Sequence, residues 1–134
     1  MITLAEILHT PITAPEHLEN LMVLLVKINR LREAYGKPLR VTSGYRSMAK
    51  HLAIYAAKGI TDQAKIPMKS NHLLGKAVDV VPVDDTIEQF HAFILANEPL
   101  LIEIGLWIED LAYTKSWVHL QSVPPRSGKR FFQP

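Results

Sequence analysis

With 134 residues, 48% of them hydrophobic, and a formal net charge of +2, the chain has the make-up of one globular domain, residues 1–134, that can bury a core without staples. It has no cysteine, which excludes disulfides and thiolate metal sites and restricts any metal to His, Asp or Glu ligands. The charge is too small to argue for nucleic acid, no apolar run reaches the length of a membrane span, and Met1–Glu6 lacks the basic and apolar stretches of a signal peptide. The expectation is a monomer made in the cytoplasm, with no nucleic-acid partner and no membrane insertion. To work outside the membrane it must be let out by something else.

Thr3 and Glu6 read as a capping box that opens a short helix to about Leu8, stopped by Pro11. Thr13-Ala14-Pro15-Glu16 reads as a second capping box, and the helix after it runs to about Tyr35 with Gly36 as its C-cap. Leu18, Leu21, Met22, Leu25, Ile28 and Leu31 form its apolar stripe. Residues 38–42 read as a strand, residues 43–47 as a turn, residues 48–58 as a helix and residues 60–69 as a loop. Residues 76–81 read as a strand ended by Pro82. A helix capped within Asp84-Asp85-Thr86 carries Ile87, Phe90, Phe93, Ile94 and Leu95 on an apolar face and ends before Pro99. A hairpin of residues 106–109 and 117–121 and a polar tail complete the chain. This pattern predicts an α+β fold, helices packed on a small, mainly antiparallel sheet.

The chemistry gathers around Ser70-Asn71-His72-Leu73-Leu74-Gly75-Lys76-Ala77-Val78-Asp79. His72 offers an imidazole and Asp79 a carboxylate, seven positions apart, a spacing that a turn followed by a strand can close and an ordinary helix cannot. Gly75 suits the turn. A catalytic zinc takes three protein ligands and keeps an open position, and His119 in Trp117-Val118-His119 is the candidate for the third.

The segment Ser-x-His-x-x-Gly-x-Ala-x-Asp over residues 70–79 resembles the first metal motif of the zinc D-alanyl-D-alanine carboxypeptidase superfamily. That group includes phage L-alanyl-D-glutamate endopeptidases and shares its fold with the Hedgehog signalling domain. Ser43-Gly44-Tyr45-Arg46-Ser47 and Trp117-Val118-His119 resemble the flanking motifs, in family order. The resemblance implies a zinc metallopeptidase acting on peptidoglycan stem peptides, with His72, Asp79 and His119 as ligands. Arg46 is implied to contact the substrate or its developing oxyanion, as suits a planar, permanently charged donor, and Ser70 to sit beside the site as a partner of ligand or substrate. Tyr45 serves equally well as substrate contact or core residue.

One position departs from the pattern. Many family members carry the general-base Glu three residues before the last His, where this chain has Ser116. Glu109 and Asp110, on the neighbouring strand, are the alternatives. Strand parity puts Trp117, His119 and Gln121 on one face and, with Leu106 and Ile108 turned to the core, puts Trp107 and Glu109 on the face of His119. Glu109 is therefore favoured, and a slipped register reverses the choice.

Blander roles stand beside these. His9, His17, His51 and His91 fall in helical segments as surface residues, with His51 held in reserve for its nearness to Arg46. Trp107 and Trp117 suit packing as well as a cleft wall. Lys50, Lys58, Lys65, Lys69 and Lys76 suit a solvated face as well as attraction to an anionic wall. Three functions stay open: a zinc peptidase, an inactive zinc-binding module, and a phage virion or tail component. So does the bond cut, by carboxypeptidase or endopeptidase action.

Overall fold

The long helix is built as its pattern demands, and its apolar side sets the position of everything else. In the computed structural model, which describes residues 1–66 and 70–134, α1 spans Leu4–Ile7 and α2 spans Pro15–Tyr35. Leu21, Leu24, Ile28 and Leu31 of α2 are wholly buried, each contributing about 1.5–3 kcal/mol by removal from water. Leu18 and Met22, assigned to the stripe from sequence, are exposed instead, and Leu24 takes their place. The Thr3–Glu6 capping box forms. The second one does not: Ala14 is the N-cap of α2 and makes no side-chain cap, because the Thr13 hydroxyl is engaged with the Tyr45 hydroxyl at 2.9 Å.

After β1 (Leu39–Ser43) and α3 (Met48–Ala57) comes a single 3-10 turn, Gln63–Lys65. Of the loop expected over residues 60–69, Pro67, Met68 and Lys69 lie outside the described residues. Then follow α4 (Asn71–Leu74), β2 (Ala77–Pro82), α5 (Ile87–Ala96), α6 (Glu98–Ile104), β3 (Trp107–Glu109), β4 (Val118–Gln121) and β5 (Phe131–Phe132). Three of these elements were not expected: α4, where only a turn was read, α6 and β5. α5 ends before Pro99 as expected, and Pro99 then lies in the first turn of a further helix, α6. The tail adds β5, parallel to β3, and Arg130 pins it by donating to the Leu106 carbonyl at 2.8 Å and lying over the Trp107 ring. Leu95, placed on the apolar face of α5, is 60% exposed; Phe90 and Ile94 carry that face.

The sheet order is β1-β2-β4-β3-β5, mixed but mainly antiparallel. The fold class is α+β, as expected. Val78, Val80, Ile108, Val118 and Leu120 point into the same core as α2, α5 and α6. Strand alternation then sends Asp79, Glu109 and His119 to the opposite face, where the chemistry lies. Among the described residues no helix is long and apolar enough to cross a membrane.

Candidate active site

Asp79 and His119 are direct cross-strand partners in the β2–β4 ladder. Their side chains therefore leave the sheet together, and His119 Nδ1 lies 2.8 Å from Asp79 Oδ1. His72 arrives from another direction. Ser70 caps α4 by accepting from the His72 backbone N–H at 3.3 Å, and the short helix ends at Gly75 in the left-handed region, φ 76°. A side chain at Gly75 would also sit 2.8 Å from the His17 carbonyl oxygen. This turn brings His72 Nε2 to 3.5 Å from Asp79 Oδ2. One ligand-type atom from each of His72, Asp79 and His119 lies within 4.8 Å of the others.

The outer hydrogen bonds decide which nitrogens face inward. His72 Nδ1 is 3.1 Å from the Gly44 carbonyl, which can only accept, so Nδ1 carries the proton and the Nε2 lone pair is left toward Asp79. Gln121 donates from Nε2 to the Val123 carbonyl at 2.9 Å, which directs its Oε1 to His119 Nε2 at 3.0 Å. His119 Nε2 is therefore the donor, and in the neutral ring Nδ1 presents a lone pair to a carboxylate oxygen. Two acceptors facing each other at hydrogen-bond distance call for a cation between them, either a proton or a metal. Two imidazoles and a carboxylate, each held by a further hydrogen bond or ladder, fit a zinc ion.

The charges of the site point the same way. Burial works to raise the Asp79 carboxyl, but the hydrogen bonds and positive charge of His119 and His72 outweigh it and hold the pKa well below the usual carboxylate range. Burial likewise works against the His119 imidazolium, and the Asp79 bond and charge overcome it and raise the pKa. Glu109 is raised, first by burial and then by the Asp79 charge, against the lowering pull of His119 and His72.

The three residues open on a cleft of about 490 Å³, which Arg46, Tyr55, Ser70, Asn71, Glu109, Trp117, Phe132 and Pro134 also line. The β3–β4 register pairs Trp107 with Gln121 and Ile108 with Leu120, so its next step sets Glu109 against His119. The parity argument holds, and Asp110 is elsewhere: its carboxylate accepts from the Ala112 N–H at 2.9 Å. Of the two roles left open for Tyr45, substrate contact and core residue, the structure shows the second. Its ring is wholly buried, and its hydroxyl meets Thr13 and His17 in the core. His51, expected at the surface, is also buried; its Nδ1 accepts from Arg46 Nε at 3.1 Å while Ser43 Oγ accepts from Arg46 at 3.3 Å. His91 accepts no place in the cleft, lying 3.2 Å from the Trp117 carbonyl. Tyr55, Asn71, Phe132 and Pro134 were missed; the apolar Phe131-Phe132 pair in an otherwise polar tail was the one available signal.

Gly44 has a role beyond its carbonyl. A Cβ there would lie 2.1 Å from the Ile7 carbonyl oxygen, a backbone atom with nowhere to go. We expect Gly44→Ala to destabilise the fold by at least ~2 kcal/mol in denaturant titration and to weaken metal retention by displacing the acceptor of His72. Unchanged stability would show that Ile7 and Gly44 do not approach this closely.

The family model for peptidase M15 matches residues 3–121. The chain belongs to the peptidase M15 family. Among solved structures, the Serratia marcescens L-Ala D-Glu endopeptidase ChiX is similar, with 28% identity, a TM-score of 0.52, and 89% of this chain and 94% of that one covered. The comparison with curated protein sequences returned no match. This M15 peptidase therefore carries its His72, Asp79 and His119 cluster in a fold similar to that of an L-Ala D-Glu endopeptidase, and the resemblance read from residues 43–47, 70–79 and 117–119 is of the right family.

Proposed function

We propose that the protein is a zinc-dependent endopeptidase that cleaves the bond between L-alanine and D-glutamate in peptidoglycan stem peptides. The observation that carries this reading is the His72–Asp79–His119 cluster opening on a cleft whose walls include Glu109 and Arg46. The similarity to an L-Ala D-Glu endopeptidase over most of both chains supports the choice of endopeptidase over carboxypeptidase action.

In this reading His72 Nε2, His119 Nδ1 and the Asp79 carboxylate hold the metal. Zinc, when bound, supplies Lewis acidity, which acidifies water and polarises a carbonyl. Glu109 takes a proton from the attacking water and returns it to the leaving amine, a task suited to a carboxylate whose pKa is raised by burial. Arg46, with its guanidinium plane held by His51 and Ser43, binds the substrate or the developing oxyanion. Ser70 shapes the cleft rim and orients the His72 backbone.

The test is digestion of purified peptidoglycan with the zinc-loaded protein, followed by mass spectrometry of the released peptides. New D-glutamyl amino termini are expected. Loss of terminal D-alanine instead would make the enzyme a carboxypeptidase. Zinc binding with no hydrolysis would support the second reading, a binding module that lost its base at position 116. A phage-type lytic setting is proposed on the resemblance of residues 70–79 alone, and co-sedimentation with virions or lysis of treated cells checks it.

A further inference from the structure

The cleft is not the only concavity that Arg46 lines. A second pocket of about 260 Å³ is formed by His9, Thr42, Ser43, Arg46, Lys50 and Ile54. Backbone bonds build it. The Tyr45 N–H donates to the Ile7 carbonyl at 2.9 Å, the His9 N–H to the Tyr45 carbonyl at 3.2 Å, and the Ser47 N–H to the Thr10 hydroxyl at 2.8 Å. Residues 7–10 are thereby laid along residues 44–47, which brings His9 beside Arg46. On the other side, β1 takes a bulge between Val41 and Ser43 in its register with β2, adding one residue, Thr42, to the pocket wall. Lys50 and Ile54 stand four residues apart on one side of α3, and Arg46 lies just before its N-cap, Ser47, so all three line the same space.

The lining is cationic and unbalanced. Arg46 and Lys50 bring two positive charges, and no Asp or Glu lines the pocket. Neither makes a salt bridge to a carboxylate among the described residues. Arg46 has five N–H donors, of which His51 and Ser43 engage two. His9 feels the same field: its pKa is lowered first by burial and then by the charges of Arg46, His72 and Lys50. Two cations and several N–H and O–H donors with no counter-charge make a site for a small oxyanion. Because Arg46 lines both concavities, an anion here lies one side chain away from the reacting centre.

We propose that this pocket is a subsite for the carboxylate of the glutamyl residue next to the scissile bond, held by Arg46 and Lys50 with His9 as a further donor. The proposal rests on the endopeptidase reading above and adds what recognises the substrate. Glutamate has two carboxyls. Joining one into the chain leaves the other free, a bond or a few from the amide that is cut. A guanidinium shared between the cleft and the pocket can thus couple recognition of that carboxylate to placement of the scissile carbonyl.

The test uses the full chain, zinc-loaded, and two synthetic stem peptides that differ at one group: the glutamyl residue bears a free carboxylate in one and a carboxamide in the other. Equilibrium binding and hydrolysis are measured for both. The unmutated protein is expected to favour the acid by about tenfold or more in Kd and KM, with kcat little changed, the usual strength of hydrogen bonds to a charged group. Lys50 is exposed in the first turn of α3, so Lys50→Gln and Lys50→Glu leave the core untouched, and Glu there suits the helix N-terminus. Lys50→Gln should cut the preference to about threefold or less, and Lys50→Glu should abolish or reverse it. Lys115→Gln removes the same charge from an exposed loop outside the pocket and should leave the preference intact. Equal binding of the two peptides by the unmutated protein, or a preference that survives Lys50→Glu, overturns the subsite. Preference in binding without cleavage of either peptide keeps the subsite and sinks the peptidase reading. Cleavage of both at one KM does the opposite, and a protein that neither binds nor cuts them loses both.

Discussion

Replacing His119 by alanine is expected to remove metal retention and peptide hydrolysis together. A catalytic zinc site holds its ion with three protein ligands, and this cluster has three to give, His72, Asp79 and His119. Without His119 two ligands remain, and the zinc-to-protein ratio after gel filtration should fall from about one to near zero. Hydrolysis should fall to the uncatalysed background. The fold should survive, because the neighbours Val118 and Leu120 are the residues that β4 buries in the core, while His119 points the other way. The cost in stability is the Asp79 carboxylate left with one partner instead of two, on the order of 1–3 kcal/mol for a half-satisfied charged group. His72→Ala should act in the same way, with the Gly44 carbonyl losing its donor as well. Zinc held at unchanged stoichiometry in either variant, or hydrolysis that survives exhaustive chelation, would end the assignment of these residues as ligands.

The His72–Asp79 half of the site was legible because its geometry is local, whereas His119, 40 residues from Asp79, came with the family resemblance. The His72–Asp79 spacing needs only one turn and one strand, and Gly75 in the left-handed region supplies the turn. Parity alone carried Glu109 to the face of His119, since strand alternation leaves no third choice and the hairpin register has no slip. What the sequence concealed depends on contacts between distant segments. Tyr45 looks like a candidate contact beside Arg46, yet residues 13–17 close over it and take its hydroxyl. His51 reads as polar and therefore exposed, until Arg46 folds back and gives the ring a hydrogen-bond donor inside. The face of α2 was misjudged for another reason: residues 21–26 are apolar without a break, so periodicity cannot choose between Met22 and Leu24. The tail strand rests on pairing Phe131 with Ile108 and Phe132 with Glu109 of β3, far along the chain, and a two-residue apolar pair is too short to announce it.

Glu109→Gln should lower turnover by roughly two to four orders of magnitude, the usual share of general acid–base catalysis, while zinc stays bound. The attacking water must lose a proton as it adds to the carbonyl, and the amine must gain one as it leaves; a single carboxylate in the cleft can serve both steps. Glu109 is placed for this. It lines the cleft with His72, Asp79 and His119, and cross-strand neighbours on one face are only ~4.5–5.5 Å apart at Cβ. Its pKa is raised by burial and by Asp79, which strengthens it as a base without making it a ligand. Gln keeps the shape and most of the hydrogen bonds, so KM and thermal stability should hardly move and the loss should fall on kcat. Asp110→Asn is the control. Its carboxylate caps the following turn at the Ala112 N–H, so the substitution should cost at most about 1 kcal/mol of stability and leave turnover alone. An exchange of the two outcomes would mean that the β3–β4 register slips by one residue in solution, and an active Glu109→Gln would move the base elsewhere in the cleft. A Glu109→Gln protein that loses zinc as well would place this carboxylate among the ligands, and the chemistry of the site would need a different proton acceptor.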